Sequence, residues 1–143
     1  MSEVVTTTAS EDETRAVATE LAARLRPGDM VLLEGPLGAG KTLFAQAIGA
    51  ALGVSGPMPS PTYAMVHRHE TAAGVPLVHV DLYRVEGDDE LFALGLDDDF
   101  DVGAIVIVEW PERAPILLNR ARFHVSLNDA GPTTRTLTVR ERG

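Results

Sequence analysis

Lys41 is the only lysine among the twelve lysine and arginine residues of this 143-residue chain, and it closes the run Gly35-Pro36-Leu37-Gly38-Ala39-Gly40-Lys41-Thr42. The run is a complete match to the phosphate-binding pattern G-x-x-x-x-G-K-S/T. Each residue type has a physical task in that chemistry. Glycines let successive backbone N–H groups curl toward one point, where the N-terminal dipole of a following helix also favours an anion. A lysine supplies a compact ammonium on a flexible stem that reaches the β- and γ-phosphates of a nucleotide. The hydroxyl of Thr42 suits Mg²⁺. An ordinary glycine-rich turn is the plain alternative, and the flanking sequence decides against it.

Those flanks are the elements that must position the loop. Met30-Val31-Leu32-Leu33 reads as a short apolar strand before it, and Leu43 to Leu52 reads as a helix after it. Upstream, Met1 to Ala9 reads as a threonine-rich lead-in. Ser10-Glu11-Asp12-Glu13 has capping-box spacing ahead of an alanine-rich helix to about Leu25. Val17, Ala18, Leu21, Ala22 and Leu25 share one face at helical spacing, the pattern of a helix covering a sheet. Gly53 to Pro61 is irregular, with two glycines besides its prolines. Strands are predicted at Tyr63 to His69 and Leu77 to Leu82, paired as a hairpin across Ala73-Gly74. A short helix is predicted over Asp88 to Leu94, then a doubly buried strand over Ala104 to Val108. Arg122 to Leu127 and Thr136 to Arg140 read as a closing hairpin. The expected fold is α/β: a P-loop NTPase-like mixed sheet flanked by helices, with a C-terminal β-hairpin, in one domain spanning 1–143.

In such sheets the ligand sits outside the carboxyl ends of the strands. Two predicted strands run apolar residues into a carboxylate there: Val78-His79-Val80-Asp81 and Ile105-Val106-Ile107-Val108-Glu109. Either acid fits the role of holding Mg²⁺, directly or through water, and the other fits the same task or that of orienting an attacking water. A solvated strand end is the plain alternative for each. His67 and His69 alternate on one strand and read as a polar face, since no carboxylate or cysteine cluster accompanies them.

Composition excludes much else. Net charge is −9, a field that repels nucleic acid and acidic membrane surfaces, so direct nucleic-acid binding by the chain alone is not expected. The absence of cysteine excludes disulfide, zinc-thiolate and thiol chemistry. The N-terminal residues lack a signal-peptide pattern and no apolar run reaches membrane-spanning length, so a soluble cytoplasmic protein is expected. The acidic run near Asp97 reads as a solvated loop, a docking surface for a partner being the alternative.

Beyond the loop, Ser60-Pro61-Thr62-Tyr63, His79-Val80-Asp81-Leu82-Tyr83-Arg84, Glu90 with Leu94-Gly95-Leu96, and Val108-Glu109-Trp110-Pro111-Glu112-Arg113 occur in an order and spacing that resemble the bacterial TsaE (YjeE) family over nearly the whole chain. That family comprises small P-loop ATPases needed to make threonylcarbamoyladenosine (t6A) in tRNA. The resemblance implies that Gly38, Ala39, Gly40, Lys41, Thr42 and Leu43 bind ATP or ADP, with Thr42 on Mg²⁺. It makes Glu109 the metal-linked acid, Asp81 the second acid, and Ser60, Pro61, Thr62 and Tyr63 a switch that senses the γ-phosphate. Arg135 matches an arginine that contacts nucleotide, and Glu11 an acid on the nucleoside side. Lys41, Asp81 and Glu109 are then the catalytic set.

The resemblance also implies partners, TsaD and TsaB, whose t6A-forming complex an ATP cycle would reset. Two departures stand out: Pro36 where the family usually has aspartate, and Leu43 where a second Thr or Ser is common. Proline removes one loop N–H. Hydrolysis by the chain alone is expected to be slow, because no arginine is obviously poised by a lid, Arg84 and Arg113 being the candidates. A small-molecule kinase is the competing class, but between Gly53 and Gly103 the only arginines for an acceptor lid are Arg68 and Arg84. A nucleotide-gated binding module is the third reading.

Overall fold

The β-branched and aliphatic run from Met30 to Glu34 alternates its side chains between two faces, and both faces are buried, as a strand at the centre of a parallel sheet requires. The computed structural model describes residues 2–60 and 65–142. In chain order the elements are β1 (Ser2–Thr8), α1 (Glu11–Ala22), β2 (Met30–Glu34), α2 (Lys41–Ala51), β3 (Val66–Glu70), β4 (Pro76–Asp81), α3 (Asp88–Ala93), α4 (Leu96–Asp101), β5 (Ile105–Glu109), β6 (Phe123–Asp129) and β7 (Arg135–Glu141). Two 3-10 segments, Pro111–Arg113 and Pro115–Asn119, follow β5.

The seven strands form one sheet in the order β1-β7-β6-β2-β5-β4-β3. Its centre, β6-β2-β5-β4, is parallel, and antiparallel pairs close both edges: β3 against β4, and β6 against β7 against β1. The mixed sheet with its closing hairpin is the fold expected from the sequence. One core lies between the sheet and α1 and α2, with Phe44, Ile48, Leu77, Ile107 and Phe123 fully buried or nearly so. A second core fills the opposite face, where Leu32, Val80, Val106 and Val108 meet Leu91, Leu96 and Leu117.

Local chemistry explains the boundaries. Ser10 caps α1, its hydroxyl accepting from the Glu13 N–H at 3.2 Å, while the Glu13 carboxylate accepts from the Ala9 N–H at 3.1 Å. The helix ends at Ala22, short of the Leu25 expected, because Arg24 and Leu25 turn back to the carbonyls of Leu21 and Ala22. The helix after the loop starts at Lys41 instead of Leu43, with Gly40 at φ 102° as its cap.

Three further departures matter. The lead-in is β1, whose Val4-Val5-Thr6-Thr7-Thr8 run suits a strand and whose partner β7 lies at the far end of the chain. The acidic run is α4, a short helix in which Asp99 is 8% exposed and bonded to Arg68 at 2.8 Å. The described part of the predicted Tyr63 to His69 strand begins at Val66, after Met65 at φ 64°. Tyr63 itself lies outside the described residues. His67 and His69 are half-buried, their rings 6.2 Å apart, with His67 opposite the buried His79 in the β3–β4 register. Among the described residues no helix is long and apolar enough to cross a membrane.

Candidate nucleotide site

The site grows from three neighbouring strand ends. β2 lies beside β5, and β5 beside β4; the register sets Leu33 opposite Glu109 and Glu109 opposite Asp81. The chain leaves β2 at Glu34 and turns through residues 35–40 into α2. Gly38 at φ 79° and Gly40 at φ 102° adopt left-handed backbone that favours glycine. Gly35 is required for another reason: a Cβ there would stand 2.3 Å from the Leu127 carbonyl oxygen of β6. At Gly35 the loop therefore sits against the sheet with no room for a side chain.

Lys41, in the first turn of α2, is 5% exposed. Its Nζ donates to the carbonyls of Gly35 and of Pro36, the latter at 2.9 Å, and stands 4.1 Å from the centre of the Trp110 ring. Burial pushes this ammonium below its usual value, against the opposing pull of Glu109, Glu112 and Asp81. The Thr42 hydroxyl donates to the Glu109 carboxylate, 3.1 Å from each oxygen. Glu109, 3% exposed, also accepts from His79 Nε2 at 2.6 Å, and His79 is fully buried. Asp81, 6% exposed, accepts from the Tyr83 N–H at 2.8 Å.

These groups face a cleft of about 340 Å³ lined by Gly38, Lys41, Thr42, Asp81, Glu109 and Trp110, with Tyr83 and Arg84 at its side. Its donor set is a hydroxyl and two carboxylates, the hard oxygen ligands that Mg²⁺ takes alongside phosphate and water. The residues present fit that ion. A second opening of about 160 Å³ lies across Gly38, Ala39, Gly40 and Leu43. Glu11 and Thr14 of α1 form one wall, and Pro132, Thr133 and Arg135 the other. Arg135 holds the loop directly, its Nε donating to the Ala39 carbonyl at 3.2 Å.

The structure thus gathers Glu11, Gly38, Ala39, Gly40, Lys41, Thr42, Leu43, Asp81, Glu109 and Arg135 around one loop. Ser60 is exposed. Pro61, Thr62 and Tyr63, the rest of the expected switch, lie outside the described residues. Pro36 keeps its carbonyl on Lys41, so the substituted loop position still takes part through its backbone.

Two features went unassigned by sequence reading. His79 is the direct neighbour of Glu109; the signal was there, since His79 and Asp81 alternate on one strand and so share a face. Trp110 takes left-handed backbone at φ 60°, which lays its ring beside Tyr83, with ring centres 4.9 Å apart, and against Lys41. A bulky residue in this backbone region is uncommon and is held there by its neighbours. Periodicity carries no signal for it.

A parallel core strand, a glycine-rich loop closing on a helix, and two acids on adjoining strand ends define the P-loop class of α/β protein. Within that class the comparisons are specific. The family model described as "Threonylcarbamoyl adenosine biosynthesis protein TsaE" matches residues 8–137. The "tRNA threonylcarbamoyladenosine biosynthesis protein TsaE" of Bacillus subtilis is 36% identical over 131 residues, covering 92% of this chain and 81% of its own. The protein of the same name from Streptomyces coelicolor is 39% identical over 131 residues, covering 87% and 88%. The crystal structure of YdiB from Bacillus subtilis superposes with a TM-score of 0.78 at 29% identity, covering 99% of this chain and 87% of that one. The chain belongs to the TsaE family.

Proposed function

We propose that this chain is a Mg²⁺-dependent ATPase, slow alone, that supports t6A modification of tRNA by acting on a TsaD–TsaB complex. One observation carries the nucleotide part of the reading: Lys41, Thr42, Asp81 and Glu109, from three different elements, converge on one cleft beside an anion-cradling loop. The tRNA part rests on membership of a family named for that modification.

In this reading Lys41 exchanges the Gly35 and Pro36 carbonyls for β- and γ-phosphate oxygens. The loop N–H groups cradle the same phosphates, and Arg135 and Glu11 border the nucleoside side. Thr42 and Glu109, already in contact, would hold Mg²⁺, with Asp81 beside them. When bound, that ion neutralises charge developing on the phosphates. Asp81 or Glu109 orients the attacking water. Arg84, at the side of the cleft, is the candidate to stabilise transition-state charge once a partner docks. The acidic chain leaves tRNA to its partners, and a cytoplasmic location follows from that substrate.

The test is Mg²⁺-dependent ATP turnover by the purified chain, with and without its host's TsaB–TsaD pair, with Lys41→Ala as the blank. Stimulation by the pair that Lys41→Ala lacks supports the reading. Absence of both ATP binding and stimulation overturns it.

A further inference from the structure

On the sheet face opposite α1 and α2, the helices α3 and α4 and the Pro115–Asn119 segment enclose an apolar groove lined by Leu91, Phe92, Leu96, Phe100, Ile116 and Leu117. Phe92 is 62% exposed and Ile116 54%. Single exposed apolar residues are ordinary, but these two flank a concave opening floored by the buried Leu91, Leu96 and Leu117, the arrangement of a binding surface. We propose that this groove docks an amphipathic helix of a partner protein, one whose apolar face is flanked by lysine and arginine.

Charge selects that occupant. From residue 86 to 103 the chain has no Lys, Arg or His, and its exposed acids include Asp88, Asp89, Asp97 and Asp101. Arg120 is the basic residue lining the groove, and its guanidinium lies 3.9 Å from the centre of the Phe100 ring, within the lining. A second copy of this chain, at net charge −9 and with the same acidic rim, is repelled, as is any nucleic acid or anionic lipid surface. The groove, about 80 Å³, takes one large anchor with a second against Phe92 or Ile116, so a helix with an apolar pair at i and i+4 and basic flanks satisfies both the groove and its rim.

The placement of the groove adds a reason for it to exist. One wall is the continuation of β4 past Asp81 through Tyr83 into α3 and α4; the other is the continuation of β5 past Glu109 through Trp110 into the 3-10 segments. A helix seated there touches both segments that run on from the two acids. The proposal stands apart from nucleotide use, and its test contains no nucleotide.

The test titrates the full chain into a fluorescein-labelled designed helix of about 18 residues, five turns long, with Leu and Phe anchors and Lys flanks, followed by anisotropy. A control peptide keeps the anchors and carries Glu in place of Lys. The lysine peptide is expected to bind at least about tenfold more tightly than the glutamate peptide, the preference shrinking at high salt. Phe92→Ser and Ile116→Ser, checked for fold by circular dichroism, are expected to weaken it by about tenfold or more, as truncation of a buried anchor does. Asp97→Asn with Asp101→Asn leaves every lining apolar group in place and is expected to reduce the preference for lysine. Equal binding of the two peptides, binding of neither, or variants that bind like the parent overturn the proposal. So does a dimer in sedimentation that Phe92→Ser dissolves, since the groove would then be covered by a second copy.

Discussion

His79→Ala isolates the contact that holds the acid of β5. In the parent, the Glu109 carboxylate is 3% exposed, with His79 Nε2 at 2.6 Å and the Thr42 hydroxyl at 3.1 Å. The substitution removes the shorter bond, opens a space where a fully buried ring stood, and leaves the carboxylate with Thr42. Leaving a buried carboxylate short of a donor costs about 1–3 kcal/mol, and the space left by the ring adds to it, so the expected loss is about 3 kcal/mol. Each kcal/mol lowers the Tm of a domain this size by about 3 °C, so the midpoint should fall by about 10 °C. Calorimetry of the nucleotide-free chain reads it. The cavity contribution is separated by adding Glu109→Gln: a neutral amide tolerates the missing donor, so the double variant should lose about 1–2 kcal/mol less than the sum of the singles. A single-variant loss below about 1 kcal/mol, or strict additivity, would refute the reasoning that His79 compensates a buried carboxylate.

Gly35→Ala brings a Cβ to 2.3 Å from the Leu127 carbonyl, and since backbone must yield, it should cost about 1–3 kcal/mol and weaken binding of a fluorescent ATP analogue; unchanged affinity would count against the loop's seating on β6. Trp110, the sole tryptophan, touches Lys41 Nζ, so its emission should change when MgATP draws that ammonium away. Lys41→Ala should show no such response. Arg122 donates to Asp29 and Glu141, and it, more than Arg24, holds the Glu141 carboxyl below its usual 4.5. A depressed folded value adds stability above about pH 4.5 that is lost as pH falls through the lower folded value. Arg122→Gln should therefore flatten the acid limb of a Tm-against-pH curve, and an unaltered limb would remove Arg122 as its cause.

The glycine-rich loop was legible because its pattern is local: glycine, lysine and threonine at fixed offsets between an apolar strand and a helix. Asp81 and Glu109 were legible for a related reason, since each ends an apolar run and parallel strands deliver their carboxyl ends to one edge. What escaped was set by distant partners. Ser2 to Thr8 becomes a strand only because Arg135 to Glu141 offers it a ladder, and Asp99 is drawn into the structure by Arg68, on a strand 31 residues earlier. The contact of His79 with Glu109 depends on which strand lies beside which, and strand order is not written in either strand alone. Trp110 turns on a single backbone angle, which apolar periodicity does not encode.

The pairing of β1 with β7 governs when this protein becomes itself. Ribosomal synthesis releases residues 2–8 long before their partner exists, so Val4 and Val5, 60% exposed even in the finished sheet, must wait for residues 135–141. The same late strand carries Arg135, which grips the loop carbonyls of Gly38 and Ala39. A nascent chain without β7 has the glycine-rich loop and its lysine in sequence but lacks Arg135 from the opening beside it. The geometry of the glycine-rich loop is thereby tied to a strand made more than ninety residues after it.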